Sequence, residues 1–283
     1  MSKTITLLLF LFLSNTLIAQ QYRYVTAENG LIVRANPDKN SVRNGKLPYG
    51  TRVRLVQETT IELEIKDGDK LILGKWVEIR EIDGPLNGFV FSGYLTETEL
   101  KKRFEIPFQD FTLAMELDVW QENNAIKSSY QDSAKIYVEL GDSPLGKEIK
   151  IKQTKFKKIE LFQRHENSVS IMNEGPHCDL TEWKHYYSEW IKLPFNNTTN
   201  TYLSTTYSPE DWGKFIPVDM AKLKKAVEAH CGGYWPSLLD NTKNINDYPI
   251  GISISRIFLK IVLTDENGNV NEKTVSFEIP MGC

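Results

Sequence analysis

The sequence predicts a mainly β chain in two parts, and three observations carry that expectation. Apolar residues alternate with polar ones over most of the chain, as in Leu31, Val33, Ala35 and again in Phe111, Leu113, Met115, Leu117, Val119. The alternating runs are separated by turn chemistry, notably Lys66-Asp67-Gly68-Asp69 and Glu266-Asn267-Gly268-Asn269. Helical periodicity is confined to a single clear stretch, Ala221 to His230.

Residues 1–20 have the form of an export signal. Lys3 precedes the unbroken apolar run Leu7 to Leu13, which Ser14-Asn15-Thr16 interrupts, and Ala19 lies near a cleavage point. The apolar block is shorter than the roughly 20 residues that a spanning helix needs. No later segment reaches that length, so no membrane contact is expected once the signal is cleaved. The expected location is therefore outside the cytoplasm, periplasmic or extracellular.

Residues 21–95 form the first expected domain. Tyr22 to Thr26 opens it as a strand. Gly30-Leu31-Ile32-Val33-Arg34 follows, then the turn-rich Asn36 to Ser41, where Pro37 fixes its own φ and the Asn, Asp and Ser side chains compete for backbone partners. Leu47-Pro48-Tyr49-Gly50 is a second turn, and Thr51 to Gln57 resumes alternation. Gly74-Lys75-Trp76-Val77-Glu78-Ile79 and Asn87 to Leu95 are the last strands. These ordered words resemble a bacterial SH3 (SH3b) domain. The resemblance implies a small SH3-like barrel that binds extended peptides in an aromatic-lined groove, in bacteria the stem or bridge peptides of peptidoglycan or a segment of a partner protein. Tyr49, Trp76 and Tyr94 are its candidate groove residues. Between the matched words, Glu58 to Gly74 reads as an added or elongated hairpin, with Ile61, Leu63, Ile65 on one arm and Leu71, Leu73 on the other.

Residues 96–103 read as a charged linker with a short helical turn, where Thr96 and Glu99 would make a capping box. Residues 104–283 then form an α+β, sandwich-like β-rich domain of unknown function with one or two helices. Its expected strands lie around Phe111 to Trp120, Ile136 to Leu140, and Ile149 to Ile151. Two more flank a turn at His165-Glu166-Asn167-Ser168, and Ile252 to Asp265 and Val270 to Ile279 flank a type I′ turn at Asn267-Gly268. Asp219 caps the helix before Gly232-Gly233 stops it, and Ser208 caps a shorter turn at Pro209. Thr181 to Leu193 fits both periods and is read as strand.

With 34 basic and 37 acidic residues and no basic run among aromatics, nucleic acid is not an expected partner. The sequence supplies no C-x-x-C, H-x-x-x-H or H-E-x-x-H spacing, so neither a metal nor another cofactor is expected. Cys178 with His230 is the one pair that could serve as nucleophile and base of a cell-wall cysteine hydrolase. Pro176-His177-Cys178-Asp179-Leu180 lacks the small residues that surround such a nucleophile in the cell-wall peptidases that accompany SH3b domains, so an enzyme is not the favoured reading. Three cysteines in an exported chain permit three single disulfides. The chain-entropy model separates the 178–231 loop from the 178–283 loop by under about 1 kcal/mol, which does not choose. Cys178 and Cys231 flank the helical insertion, and that pair is preferred. The dense aromatics Trp183, Tyr186, Tyr187, Trp190, Trp212, Tyr234 and Trp235 could line a ligand platform, and a core of large side chains fits them at least as well. The resulting expectation is an exported, non-enzymatic binding protein.

Overall fold

The computed structural model describes residues 21–68, 70–120, 129–152 and 155–281. The expected export signal, Asp69 and Cys283 lie outside the described residues. The chain divides into two compact units, Met1–Lys102 and Arg103–Cys283.

The first unit is one antiparallel sheet of seven strands. They are β1 (Tyr22–Val25), β2 (Leu31–Arg34), β3 (Arg43–Leu47), β4 (Arg52–Asp67), β5 (Lys70–Glu81), β6 (Asn87–Phe91) and β7 (Leu95–Thr96), in the order β3-β2-β6-β5-β4-β1-β7. Val25, Leu31, Val33, Leu47, Val53, Val77, Ile79 and Val90 come from six of these strands and pack into one cluster. A lone sheet can gather its inner residues in this way only by curling on itself, so the unit has the small-barrel form that the sequence words imply. Gly50, at φ +75°, turns the chain from β3 into β4; a Cβ there would meet the Lys101 carbonyl oxygen at 2.5 Å. The expected capping box at Thr96 is not formed. Thr96 pairs with Tyr24 in the ladder and its hydroxyl accepts from the Thr98 amide, so the pull of the sheet edge outweighs the local capping signal.

The insertion is an elongated hairpin. β4 and β5 pair from Val53↔Glu81 out to Asp67↔Lys70, with register shifts at Leu55/Gln57 and Glu58/Glu62. Such bulges bend a strand and sharpen its twist. Beyond them, Leu63, Ile65 and Ile72 turn back onto the barrel cluster, while Leu71 and Leu73 remain exposed.

The second unit is a two-sheet sandwich. One sheet holds β8 (Phe104–Pro107), β9 (Thr112–Met115), β11 (Glu148–Lys152), β16 (Phe195–Asn196) and β17 (Thr201–Leu203), in the order β16-β17-β11-β9-β8. The other holds β10 (Ser133–Tyr137), β12 (Lys158–Ile171), β13 (Cys178–Leu180), β18 (Ile250–Thr264) and β19 (Val270–Glu278), in the order β10-β19-β18-β12-β13. The short β14 (Tyr186–Tyr187) and β15 (Ile191–Lys192) also pair with β12. Leu113, Met115, Ile149 and Tyr202 of the first sheet meet Leu161, Ile257, Leu259, Ile261, Val275 and Phe277 of the second. A smaller cluster joins the far ends of β12 and β18 to the helix Met220–Cys231 through Val169, Ile171, Leu180, Leu223, Val227 and Trp235. Asp219 caps that helix by accepting from the amides of Ala221 and Lys222. Ser208 and Asp211 form a capping box on the short helix Pro209–Gly213.

Two sequence expectations are corrected here. His165 to Ser168 is not a turn: β12 runs unbroken through it, with a bulge at Glu166/Asn167. The turn between β18 and β19 is not type I′. Gly268 alone takes positive φ, +85°, and the Asp265 carboxylate accepts from the amides of Asn267 and Asn269. With Gly268 N donating to Asp265 O, this is a type I turn closed by a glycine bulge, the usual solution for a longer hairpin loop.

Candidate functional site

Tyr49 and Tyr94 lie at one end of the barrel, on either side of the end of β1. Gly50 N donates to Val25 O at 2.8 Å, and Thr26 N donates to Tyr94 O at 2.9 Å. Two strand spacings therefore separate the two turns, roughly 10 Å between backbones. Both side chains are half-buried.

Tyr94 is built into this end by its neighbours. It follows Phe91 by one 3-10 turn, Ser92–Tyr94, and its ring meets Phe91 edge-on at 5.7 Å. Its hydroxyl donates to Asp67 Oδ2 at 2.9 Å. Burial, and then the hydrogen bond and charge of Asp67, push the phenol pKa up, so the hydroxyl stays a donor at neutral pH.

Trp76, the third candidate groove residue, is buried. It pairs across the sheet with Phe91, while its neighbour Val77 pairs with Val90 in the barrel core. Successive residues of a strand face opposite ways, so Trp76 lies on the face away from Val77, while its cross-strand partner Phe91 packs with the barrel cluster. Phe91 is buried too, and Trp76 is 5% exposed. The elongated hairpin lies close to Phe91 and Gly93. A Cβ built on Gly74 would lie 2.6 Å from Gly93 N and 2.7 Å from Phe91 Cε2, and one on Gly93 would lie 2.7 Å from Ile72 Cγ2. Thr59, on the same hairpin, donates its hydroxyl to the Trp76 carbonyl. The barrel end thus offers Tyr49, Tyr94 and the hairpin's own edge, while Trp76 is buried.

Cys178, the candidate nucleophile, is not a free thiol in this structure. Cys178 and Cys231 are joined as a disulfide, tying β13 to the end of the helix Met220–Cys231. His230, the candidate base, is exposed in the last turn of that helix. A sulfur in a disulfide carries no thiolate to attack with.

Sequence reasoning missed a buried polar cluster on β12. Glu166 is fully buried, 3.1 Å from the Arg256 guanidinium and 2.7 Å from His185 Nδ1. Arg256 also pairs with Glu278 at 2.8 Å and with Glu182. Burial works against its charge, but these carboxylates more than offset that and raise its pKa. Next to Glu166, Asn167 Nδ2 donates to the carbonyls of Asp211 and Lys214, each at 2.7 Å, and holds the end of the short helix. Ser168 and Ser255 share a hydrogen bond at 2.7 Å. His165 packs edge-on against Tyr207, with ring centroids 4.2 Å apart, and its burial lowers its pKa. On the opposite sheet face from His165, Arg164 lies among Tyr187, Trp190 and Phe258, 4.6 to 5.1 Å from each ring. Most aromatics once weighed as a ligand platform are thus packing partners: Trp190 stacks on a cation, and Trp235 joins the smaller core. Among the described residues no three His, Cys, Asp or Glu side chains gather as a metal site, and no helix is long and apolar enough to cross a membrane.

A family model described as bacterial SH3 domain matches residues 29–96. That span begins just before β2 and ends with β7, so it takes in both tyrosine turns and the hairpin. No curated protein matches the chain.

Proposed function

We propose that this protein is an exported binding module that holds an extended peptide of the bacterial cell envelope on the Tyr49–Tyr94 end of its barrel, with no reaction of its own. The observation that carries this is the bacterial SH3 match over residues 29–96, laid on a curled sheet that brings two tyrosines to one end. Amphipathic rings fixed on tight turns suit an extended ligand, since they bring large contact area with little rotamer freedom to lose. The Cys178–Cys231 disulfide supports maturation in an oxidising compartment, hence the periplasm or outside the cell. It also weighs against the hydrolase reading, which needs a free Cys178 thiolate beside His230.

Co-sedimentation of the full chain with purified peptidoglycan tests this. Wild type should be retained, and Tyr49→Ala with Tyr94→Ala should lower retention by about ten-fold, the loss of two aromatic contacts. Equal retention of both proteins, or of neither, refutes the reading. Soluble muropeptides released by the wild type but not by Cys178→Ser would restore the hydrolase.

A further inference from the structure

We propose that the open end of the sandwich between Phe156 and Phe195 is a binding cleft for a small amphipathic anion, an apolar body carrying one carboxylate- or phosphate-type group. The cleft has a volume of about 770 Å³, within the range that takes a small ligand. It lies wholly within the second unit and does not depend on the barrel's ligand.

Its floor is the edge of the main core. Leu193 and Tyr202 are buried members of that core, and Ile151, Phe156 and Ile159 pack against it. The Tyr202 hydroxyl donates to the Ile159 carbonyl at 2.7 Å, which links the two sheets beneath the cleft and uses the ring's polar atom. The cleft therefore has a mixed lining, with Phe156, Ile159, Pro194 and Phe195 on its apolar side and the lysines, Glu160 and Asn200 on its polar side. Phe195 stands on the rim of this floor, 4.8 Å from the Tyr202 ring and 45% exposed. A large apolar ring held open to water beside the core's edge gains by being covered.

The rim sets the sign of the occupant. Lys157, Lys158 and Lys192 line it together with one carboxyl, Glu160. Lys158 lies 2.8 Å from Glu160, and Lys192 pairs with it too. Those hydrogen bonds, Lys158 first, hold the Glu160 pKa below its ordinary value, so the carboxylate stays charged at neutral pH. Three ammonium groups against one carboxylate leave an excess of two positive charges at the mouth of the cleft. A neutral apolar ligand would leave that excess unused, and a cation would be repelled. A long polyanion would meet the lysines without filling the floor.

The probe is 8-anilinonaphthalene-1-sulfonate, an apolar anion, compared with its neutral analogue N-phenyl-1-naphthylamine on the full chain. The anionic dye should bind at one site. Lys157→Glu with Lys192→Glu should weaken it by about ten-fold, as two attractions become repulsions at a wet rim, and leave the neutral dye within about two-fold. Phe195→Ala should weaken both dyes, with circular dichroism unchanged because the residue is half exposed. Decanoate and N-acetylphenylalanine present the same chemistry from an acyl chain and from a peptide end. Displacement of the dye by either supports the cleft and names its source. The proposal fails if neither displaces the dye, if charge reversal weakens both dyes alike, or if Phe195→Ala changes nothing, as it would were the dye held on Leu71 and Leu73.

Discussion

The hydroxyl of Tyr94 bonds to the carboxylate of Asp67 at 2.9 Å, across 27 positions of chain, and so fastens the tip of the elongated hairpin to the end of the barrel where the two tyrosine turns lie. The hairpin is therefore part of the candidate binding end and not an appendage. Tyr94→Phe keeps the ring and deletes the donor. The bond is near water, so the stability lost should be at most about 1 kcal/mol. Amide exchange between residues 61 and 74 should nevertheless quicken, because that tip has lost its tie. Unchanged exchange there would show that apolar packing alone holds the hairpin.

Arg256→Met should destabilise the second unit by about 3–5 kcal/mol, because it leaves the fully buried Glu166 without its guanidinium. Adding Glu166→Met should recover most of that loss, since the pair's own net contribution is small once both charges are gone. Urea titration of the three variants measures it. A single variant within 1 kcal/mol of wild type would mean that the guanidinium is not what holds Glu166 in place.

Asn167→Ala should cost about 1–3 kcal/mol, the penalty for leaving the carbonyls of Asp211 and Lys214 without their donor. The same denaturation series reports it. Loss confined to the short helix would appear as faster exchange at residues 209–214 with an unchanged midpoint.

How far the sequence could be read follows from whether the signal was local. The caps at Asp219 and Ser208 act within three residues, and both form as their neighbours suggest. Strand alternation located the sandwich and the hairpin, because it reports burial directly. His165 to Ser168 misled for the opposite reason. Four polar residues resemble a turn when their partners are unseen, and those partners, Arg256, His185, Asp211 and Ser255, lie far away in sequence or on other elements. The 5% exposure of Trp76 was likewise not local information: the strand beside it carries two register shifts that no short sequence word announces. The disulfide partner could be argued from the helix it brackets but not from loop entropy.

Asp211 titrates unusually low. The Lys214 ammonium, and then the Ser208 amide and hydroxyl, hold its carboxyl at about 2, against an ordinary value near 4. A depressed carboxyl stabilises the fold above its unfolded pKa and loses that contribution as pH falls. Here the window lies between about 4 and 2. The group is partly open to water, so screening keeps the effect small. Carboxyl NMR should place the Asp211 midpoint near the bottom of that window, and Lys214→Ala should move it up. A midpoint near 4 in the wild type would contradict the pairing.

Two of the chain's three cysteines are joined in the bridge. Unreduced, denatured protein should therefore show one thiol. Reduction should lower stability by up to about 4 kcal/mol, the chain-entropy value for a span of 53 residues. Three thiols before reduction would remove the disulfide and reopen Cys178 as a nucleophile.

The most direct test is residue-resolved. Soluble peptidoglycan peptides are titrated into the isotope-labelled full chain, and backbone amide shifts are followed. The perturbed amides should cluster at residues 24–26, 48–51 and 92–96 and along the hairpin edge, with the second unit silent. Shifts confined to residues beyond 103, or none at saturating peptide, would contradict a binding role for the barrel.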